Sequence, residues 1–384
     1  MCLAQKHTCV QSQVTNQMWY NMLSMKSQFY RLEKLKIVNY KGIDDLVVVF
    51  PDGLVVNDPD VNILGSKNGV GKTSVLECCA WVLLAMTIRA DVISDMGCDF
   101  SELVKSGAKE ATISGYFSGG ARKKLHRVTI RFRSKGDVRT SGTKGTLSRL
   151  VSEEMDTLAD RIQGKVSEPA QGENFFFLHS YRKVREGRPE LGALLDEDVN
   201  LWRPRRRISM RSSSDGASFS MFKRLIVKHL MQKADLFESS APRHQEQENA
   251  SINVLNGLLS QYAEVRVGKL KPYANNTIDV MVEKLSHPGK RFSIDGLSSG
   301  QKEIISTLFL IWNATYGKPS TVLIDEPELH LNEQWHAGFV RKLVELAPAN
   351  QYILATHAKA IMESVRGRNR HLLVGDIEEG ARPQ

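Results

Sequence analysis

The sequence predicts an α/β fold, in which a mixed sheet is flanked by helices and joined to a helical second lobe. Three short apolar runs and one long one lead to this prediction. The run 61–64 is followed by a glycine-rich turn and then by the long apolar run 74–84, which gives the order strand, turn, helix. The runs 322–324 and 351–355 each end in polar residues. Such runs are typical of parallel strands whose working residues lie at the carboxyl ends of a sheet.

The glycine-rich turn has the pattern of a phosphate-binding loop. Residues 66–73 read Ser-Lys-Asn-Gly-Val-Gly-Lys-Thr, with Ser66 where the first glycine of G-x-x-x-x-G-K-[ST] belongs. Serine is small, so we expect the loop to form. Its glycines allow successive backbone N–H groups to face one concavity, while Lys72 reaches the outer phosphates and the Thr73 hydroxyl holds Mg²⁺. The residues predicted to bind ATP here are Ser66, Lys67, Asn68, Gly69, Val70, Gly71, Lys72, Thr73 and Ser74.

The two later strands supply hydrolytic chemistry. The first ends in Asp325 and Glu326, and the second is followed by His357. Two adjacent carboxylates beside an apolar core are costly unless a cation compensates them. We therefore predict that Asp325 and Thr73 hold Mg²⁺ and that Glu326 deprotonates the attacking water, which is help worth roughly 10²–10⁴-fold in rate. His357 is predicted to contact the γ-phosphate and that water. A helix-capping carboxylate and a structural histidine are the simpler alternatives.

A further motif precedes the acidic strand. Residues 297–301 read Leu-Ser-Ser-Gly-Gln, and a helix is predicted to begin at Gln301. Its first N–H groups and the Ser299 hydroxyl can present donors to a phosphate. A simple helix cap is the alternative for this motif alone.

Together these motifs give the chain a recognisable pattern. It resembles the ABC-type ATPase heads of the SMC, RecF and OLD-like group, and it is similar to standalone AAA-family ATPases of bacterial anti-phage systems. The string Asp-Glu-Pro-Glu-Leu-His-Leu at 325–331 looks especially like that of OLD-like ATPases. The resemblance covers about residues 30 to 376 but is specific only at the motifs. It implies a P-loop NTPase of the ABC-ATPase type and a head-to-tail homodimer. In that dimer Ser299, Gly300 and Gln301 of one chain close over the nucleotide held by the other.

Three regions are predicted along the chain. Residues 1–27 form a loose N-terminal extension, and residues 28–190 and 319–384 form the nucleotide-binding lobe. Residues 191–318 form a helical lobe that ends in the motif at 297–301, called the signature motif below. Alternating apolar residues at 111–117 and 128–132 predict an antiparallel sheet with one exposed face. Residues 135–172 are predicted to be flexible with one short helix, Phe175–Leu178 to be a buried strand, and 219–315 to be mostly helical.

Composition limits the classes of function. The chain has 384 residues, and no apolar run reaches the ~18 residues that a membrane helix needs. We therefore expect a cytoplasmic protein without membrane contact. The five cysteines have no metal-ligand spacing and are predicted to be reduced thiols.

Positive charge favours an acidic partner. The net charge is +9 and the pI about 9.2, which makes nucleic acid a plausible partner. Basic residues cluster at 122–124, 131–135, 182–188 and most densely at 203–207, beside Trp202. Arginines next to a tryptophan can contact phosphates or stack on bases. A solvated loop remains the alternative for each cluster.

The leading hypothesis is an ATP-hydrolysing ABC-type ATPase whose nucleotide-driven dimerisation controls a nucleic-acid-related or anti-phage defence activity. Because an OLD-type nuclease carries its nuclease domain after the head and 27 residues follow His357, we expect the effector, such as a nuclease, to be a separate protein. A recombination or repair ATPase acting directly on DNA is the alternative. A transporter nucleotide-binding subunit is disfavoured because no glutamine follows the strand at 175–178. A DNA-binding scaffold without turnover is disfavoured by Glu326.

Overall fold

The structure is a computed structural model. It describes residues 30–51, 59–65, 71–88, 93, 99–119, 125–142, 158–165, 169–180, 187–188, 221–233 and 242–373. The predicted extension at 1–27, most of the phosphate-binding loop and the basic clusters at 122–124 and 203–207 lie outside these residues, as does all but the end of the cluster at 182–188.

The described residues form strands and helices in the following order. The strands are β1 (Arg31–Tyr40), β2 (Ile43–Val49), β3 (Val61–Gly65), β4 (Glu110–Ser118), β5 (His126–Arg133), β6 (Val138–Ser141), β7 (Ala170–Gln171), β8 (Phe175–Leu178), β9 (Val265–Pro272), β10 (Ile278–Lys284), β11 (Arg291–Ser293), β12 (Thr321–Asp325), β13 (Gln351–Thr356) and β14 (Arg370–Leu372). The helices are α1 (Lys72–Thr87), α2 (Met221–Lys233), α3 (Pro242–Ala263), α4 (Ser299–Thr315), α5 (Glu333–Leu346) and α6 (Lys359–Glu363).

A six-stranded sheet carries the predicted motifs. Its strand order is β14-β3-β13-β12-β8-β7, and every neighbouring pair is parallel except β7 with β8. The three apolar runs singled out in the sequence are β3, β12 and β13, and they are adjacent in this sheet. Parallel strands with both faces covered read as continuous apolar runs, which is why they are visible in the sequence.

A second sheet is antiparallel, in the order β2-β1-β4-β5-β6. Strands β4 and β5 confirm the two alternating segments predicted at 111–117 and 128–132. The segment 135–172 differs from its prediction. It has a short helix at 158–162, but it also contributes β6, because the chain reverses at Gly136 (φ 88°) and pairs again with β5.

Helix α1 lies between the two sheets. It is apolar on all sides, and nearly all of its side chains are buried, as expected for a helix covered on both faces. Trp81 packs edge-on against Phe100 and Phe132, with ring centroids 5.7 and 5.2 Å away. Burying each large apolar side chain is worth about 1.5–3 kcal/mol. This packing holds the second half of α1 against the antiparallel sheet, to which Phe132 belongs.

Alternation along β12 divides the core. Leu323 belongs to the apolar cluster around α1, whereas Val322 and Ile324 belong to the cluster formed with α2 to α5 on the opposite face. Successive side chains of a strand point to opposite faces, so one strand joins both cores. The sheet is thereby clamped between the antiparallel sheet with α1 on one side and the later helices on the other.

The region predicted to be a helical lobe holds helices and a small sheet. Helices α2, α3 and α4 lie within it, and between α3 and α4 it has a three-stranded antiparallel sheet in the order β11-β10-β9. The prediction of a mostly helical 219–315 missed these strands. The helical spacing of Phe222 to Leu230 predicts α2, whereas the alternation in β9, where Val265 and Val267 flank Arg266, is typical of a strand.

No helix in the described part of the chain is both long enough and apolar enough to cross a membrane.

Candidate nucleotide-hydrolysis site

Three neighbouring strands bring the predicted catalytic residues to one edge of the six-stranded sheet. Strand β13 lies between β3 and β12, with Thr356 opposite Gly65 and Ala355 opposite Asp325. Because all three strands are parallel, their carboxyl ends meet at the same edge. Helix α1 begins at this edge, and six residues separate it from the end of β3.

The start of α1 requires a glycine. Gly71 is the N-cap and has φ 86° and ψ 21°, a left-handed conformation that side chains disfavour. A Cβ at this position would lie 3.3 Å from the Ile43 side chain. Residues 66–70 of the predicted loop lie outside the described part, so the contacts of Ser66, Lys67, Asn68, Gly69 and Val70 stay predictions. Ser74 is half-buried in the first turn of α1.

The predicted Mg²⁺ ligands are adjacent. The Thr73 hydroxyl donates a hydrogen bond of 2.9 Å to Oδ2 of Asp325, whose side chain is buried. Mg²⁺ in phosphate-binding sites is held by one or two protein oxygens together with substrate phosphates and water. A hydroxyl and a carboxylate at this distance suit such a site. The described residues contain no cluster of three or more His, Cys, Asp or Glu side chains that would form an all-protein metal cage.

Lys72, His357 and Glu326 converge beside this pair. The Lys72 ammonium lies 2.7 Å from Nε2 of His357, and that nitrogen lies 3.6 Å from Oε1 of Glu326. Burial lowers the pKa of Lys72, while the charges of Glu326, Asp325 and Glu328 act in the opposite direction. A phosphate oxygen bound by Lys72 would therefore lie next to both predicted hydrolytic groups.

The backbone at Glu326 is unusual. Its φ is 45°, in the left-handed region, which costs a non-glycine residue roughly 1–2 kcal/mol. The conformation is held by its own N–H, which donates to the Ala355 carbonyl oxygen at 2.8 Å. His330 also has a left-handed backbone, with φ 64°. The loop between β12 and α5 is thus bent at both ends, and strain of this kind often accompanies functional sites.

The signature residues cap a helix. Helix α4 begins at Ser299, two residues earlier than predicted, because Ser298 is its N-cap. The Ser298 hydroxyl accepts from the Gln301 N–H at 3.3 Å, and the Gln301 side-chain oxygen accepts from the Ser298 N–H at 3.0 Å. The Gln301 amide also donates to the Tyr262 carbonyl at 3.1 Å. The helix cap named as the alternative for this motif is therefore present and occupies the Gln301 side chain, whereas Ser299 is exposed.

Gly300 lies against the acidic loop. A Cβ at Gly300 would be 2.8 Å from the carbonyl oxygen of His330. The start of the signature helix thus contacts the loop that follows Glu326 in the same chain. None of these contacts tests whether Ser299, Gly300 and Gln301 bind a partner's nucleotide, and that assignment stays a prediction.

Two glutamates near the site, Glu328 and Glu77, accept several hydrogen bonds and were not predicted as site residues. Glu328 accepts hydrogen bonds from residues 356–358, and its place in the string at 325–331 was the available signal. Glu77, one turn after Thr73, is buried and accepts from the Tyr40 hydroxyl at 2.9 Å and from Lys41 Nζ at 2.5 Å. Burial raises the pKa of Glu77, and Lys41 opposes that rise. A glutamate within an apolar helix was the signal for this residue.

Family models identify the chain. One described as an AAA domain matches residues 34–266, and another described as "AAA domain, putative AbiEii toxin, Type IV TA system" matches residues 172–363. Since each covers half of the chain or more, the chain belongs to the AAA-domain family of ATPases. With the geometry above, it is a nucleotide-binding ATPase of the AAA/ABC type.

Two curated relatives match parts of the chain. The retron Vc95 probable ATPase of Vibrio cholerae serotype O1 biovar El Tor is 27% identical over 138 residues, which are 32% of this chain and 27% of that protein. Protein ea59 of Escherichia phage lambda is 28% identical over 135 residues, 35% of this chain and 25% of that protein. The chain thus spans about a quarter of the length of these relatives.

Solved structures confirm the predicted fold class. One similar structure is the crystal structure of an SMC head bound to the C-winged helix domain of ScpA, with a TM-score of 0.50 and 15% sequence identity. The match covers 87% of this chain and 91% of the SMC-head chain. At this identity the likeness concerns the fold alone. It is the ABC-type head fold that the motifs predicted.

Proposed function

We propose that this ATPase hydrolyses ATP with Mg²⁺ at the edge formed by β3, β12 and β13. The observation that carries the proposal is the convergence of two pairs, Thr73 with Asp325 and Lys72 with His357. The members of each pair come from opposite ends of the chain. Groups that bind phosphate, hold a cation and handle a proton therefore meet at one place.

The residues have separate roles in this proposal. Lys72 and the backbone N–H groups at the start of α1 bind the outer phosphates. Thr73 and Asp325 hold Mg²⁺, which neutralises phosphate charge when bound. Glu326 takes a proton from the attacking water at a carboxylate oxygen, and its left-handed backbone directs the side chain toward His357. His357 orients the water and the γ-phosphate.

The cycle also includes a second copy of the chain. Ser299 is exposed at the N-terminus of α4, where helix N–H groups favour an anion. We propose that Ser299, Gly300 and Gln301 close over ATP held by the partner. The homodimer would then form when ATP is bound and separate after hydrolysis.

Replacing Glu326 with Gln tests the hydrolytic assignment. We expect ATP affinity within about twofold of wild type and a rate at least ~10²-fold lower, because an amide cannot accept the proton. The variant should accumulate as an ATP-bound dimer in light scattering. Glu345→Gln removes an exposed carboxylate of α5 and is the matched control. Wild-type turnover in Glu326→Gln would contradict the assignment.

Lys72→Ala tests the phosphate-binding role. Loss of the ammonium group should abolish measurable ATP binding, because the outer phosphates lose their counter-charge. Isothermal titration calorimetry with ATP measures the effect. Undiminished affinity would exclude the phosphate-binding assignment.

The biological role we propose is control of a nucleic-acid-related or anti-phage defence activity through a separate effector, such as a nuclease. Support comes from the names of the relatives, a retron ATPase and a family described by a type IV toxin–antitoxin system. Expression together with the neighbouring genes should lower phage plaque counts, and Lys72→Ala should remove that protection. Equal plaque counts with and without the functional chain would contradict a defence role.

A further inference from the structure

The carboxylate of Glu328 holds the end of β13 from across the site. One oxygen, Oε2, accepts from the Thr356 hydroxyl at 2.7 Å. The other, Oε1, accepts from the backbone N–H of His357 at 2.6 Å and from that of Ala358 at 3.1 Å. One side chain thus contacts three consecutive residues, and the middle one is the predicted catalytic histidine.

These bonds occur where the backbone has left the sheet. Strand β13 ends at Thr356 and α6 starts at Lys359, and the N-cap of α6, Ala358, makes no side-chain cap hydrogen bond. Backbone N–H groups at such a junction need a side-chain partner. The Ala358 N–H also donates to the Thr356 hydroxyl at 3.0 Å, and that hydroxyl is itself bonded to Glu328. Hydrogen bonds to an ionised carboxylate are shorter and roughly twice as strong as neutral ones. The Glu328 carboxylate therefore determines the path of the chain through His357.

The same loop carries Glu326. Glu326 and Glu328 are two residues apart, and the N–H of Glu326 is bonded to the Ala355 carbonyl. The loop therefore forms hydrogen bonds with β13 before Thr356, at Ala355, and with the residues that follow Thr356. Because the imidazole of His357 lies 2.7 Å from Lys72 and 3.6 Å from Glu326, a small rotation of its backbone would move it out of reach of both groups.

We propose that Glu328 is a positioning residue that fixes the orientation of His357 relative to Glu326 and Lys72. This inference rests on the proposed role of His357 in hydrolysis. Both oxygens of Glu328 accept hydrogen bonds from residues 356–358, so we assign it a structural role and leave the general base to Glu326. Its role is to set the distance between the imidazole and the phosphate-binding lysine.

Glu328→Gln tests the proposal most directly. The amide keeps the size of the side chain and one acceptor oxygen but removes the charge, so the bonds from the His357 and Ala358 N–H groups become neutral and about half as strong. We expect kcat for ATP to fall about 10-fold, while KM changes less than about twofold, since α1 and Lys72 are untouched. Glu345→Gln is the control for loss of a carboxylate elsewhere.

A double-mutant cycle with His357→Ala distinguishes positioning from general structural support. If Glu328 acts through His357, Glu328→Gln should cause no further loss of kcat when His357 is already alanine. An equal fold-loss in the presence and absence of His357 would overturn the proposal, as would unchanged kcat in the single variant. A silent His357→Ala would instead refute the proposed role of His357.

Two further measurements test the proposal if His357→Ala is silent or if Glu328→Gln does not fold. In NMR spectra of protein with labelled histidine, the His357 imidazole signals are those that are lost in His357→Ala. Glu328→Gln should shift these signals. Unchanged signals would refute the positioning of His357 by Glu328, whatever the catalytic role of His357. If Glu328→Gln does not fold, Thr356→Val removes one of the three donors at similar volume. It should give a smaller kcat loss that again disappears when His357 is alanine, and a loss that persists would overturn the proposal.

Discussion

At the scale of single residues, the site depends on charged groups placed in low-polarity surroundings. Lys72 is largely buried beside three acidic residues, and burial lowers its pKa while those charges oppose the change. Glu77 lies deeper in the same helix and depends on Lys41 and Tyr40 for compensation. Removing one member of a buried pair leaves an uncompensated charge, which is usually more damaging than losing an exposed pair. We therefore expect the residues around α1 to respond strongly to charge-changing substitutions.

His229 should make the protein sensitive to acid. Burial lowers its pKa to about 4 from the usual 6.5, with a smaller contribution from Lys228. Because the unfolded chain binds the proton more readily, this contribution to stability is complete above pH 6.5 and disappears as the pH falls to about 4. The full loss corresponds to roughly 3 kcal/mol.

Thermal unfolding between pH 7 and 4 measures this effect. His229→Asn keeps a polar atom near the Ser251 hydroxyl but cannot be protonated, so its stability should depend less steeply on pH. His287→Asn, at an exposed position, is the control and should follow the wild-type curve. A His229→Asn curve parallel to wild type would show that other groups cause the acid sensitivity.

At the scale of elements, the important contact joins the signature helix to the acidic loop. Helix α4 is capped by its own sequence, so its formation follows from the Ser298–Gln301 capping box. Its place beside the predicted catalytic residues depends on the missing side chain of Gly300, which allows the His330 carbonyl oxygen to approach. The loop from Glu326 to His330 therefore contacts β13 at one end and α4 at the other. We therefore predict that displacing α4 moves this loop and, with it, Glu326.

Gly300→Ala should separate these elements. Its Cβ would lie 2.8 Å from the His330 carbonyl oxygen, a distance that requires the backbone to move. We expect slower ATP hydrolysis and a lower melting temperature. Gly257→Ala, in the interior of α3 with no atom within 4 Å of the new Cβ, is the control and should stabilise the protein by about 0.5–1 kcal/mol. Equal activity of Gly300→Ala and wild type would show that the close contact does not matter for hydrolysis.

At the scale of the whole molecule, the site joins distant parts of the chain. Thr73 and Asp325 are 252 positions apart, and Lys72 and His357 are 285 apart. Contacts over such separations require that most of the chain is ordered before they form. The parallel sheet is what makes them possible, since β3, β12 and β13 are neighbours in it although they are far apart in sequence. ATP binding should consequently stabilise the nucleotide-binding region as a unit.

The net charge of +9 leads to a prediction about nucleic acid. Replacing Arg203, Arg205, Arg206 and Arg207 with Gln should weaken DNA or RNA binding. The salt dependence of binding should fall by about one unit for each phosphate that the variant no longer neutralises. Fluorescence anisotropy across a salt series measures both effects, and ATPase activity without nucleic acid should be unchanged.

A control variant separates local contacts from overall charge. Changing the exposed residues Lys284, Lys290, Arg341 and Lys359 to Gln removes the same amount of charge at dispersed positions. The salt slope should change less in this control than in the cluster variant. Equal slopes in wild type and cluster variant would mean that the arginines form only a solvated surface.

The sequence was sufficient for features that depend on short stretches of chain. Strands β3, β12 and β13 appear as apolar runs because both faces of a parallel sheet are covered. Because the motifs are contiguous, Asp325 and His357 could be placed at or just beyond strand ends and Lys72 at the start of the helix that follows β3. Strands β9 to β11 lie where the sequence predicts mostly helix, although Val265 and Val267 around Arg266 are a local strand signal. Their pairing into one sheet is decided by contacts between separate segments.

The hydrogen bonds from Thr356, His357 and Ala358 to Glu328 could not be predicted from the sequence. They connect the ends of two strands that are adjacent only because of the strand order in the sheet. The same applies to Glu77, whose partners Tyr40 and Lys41 reach it only when the antiparallel sheet packs on α1. Motifs carry local chemistry along the chain, but distances between motifs arise from the packing of the two sheets around one buried helix.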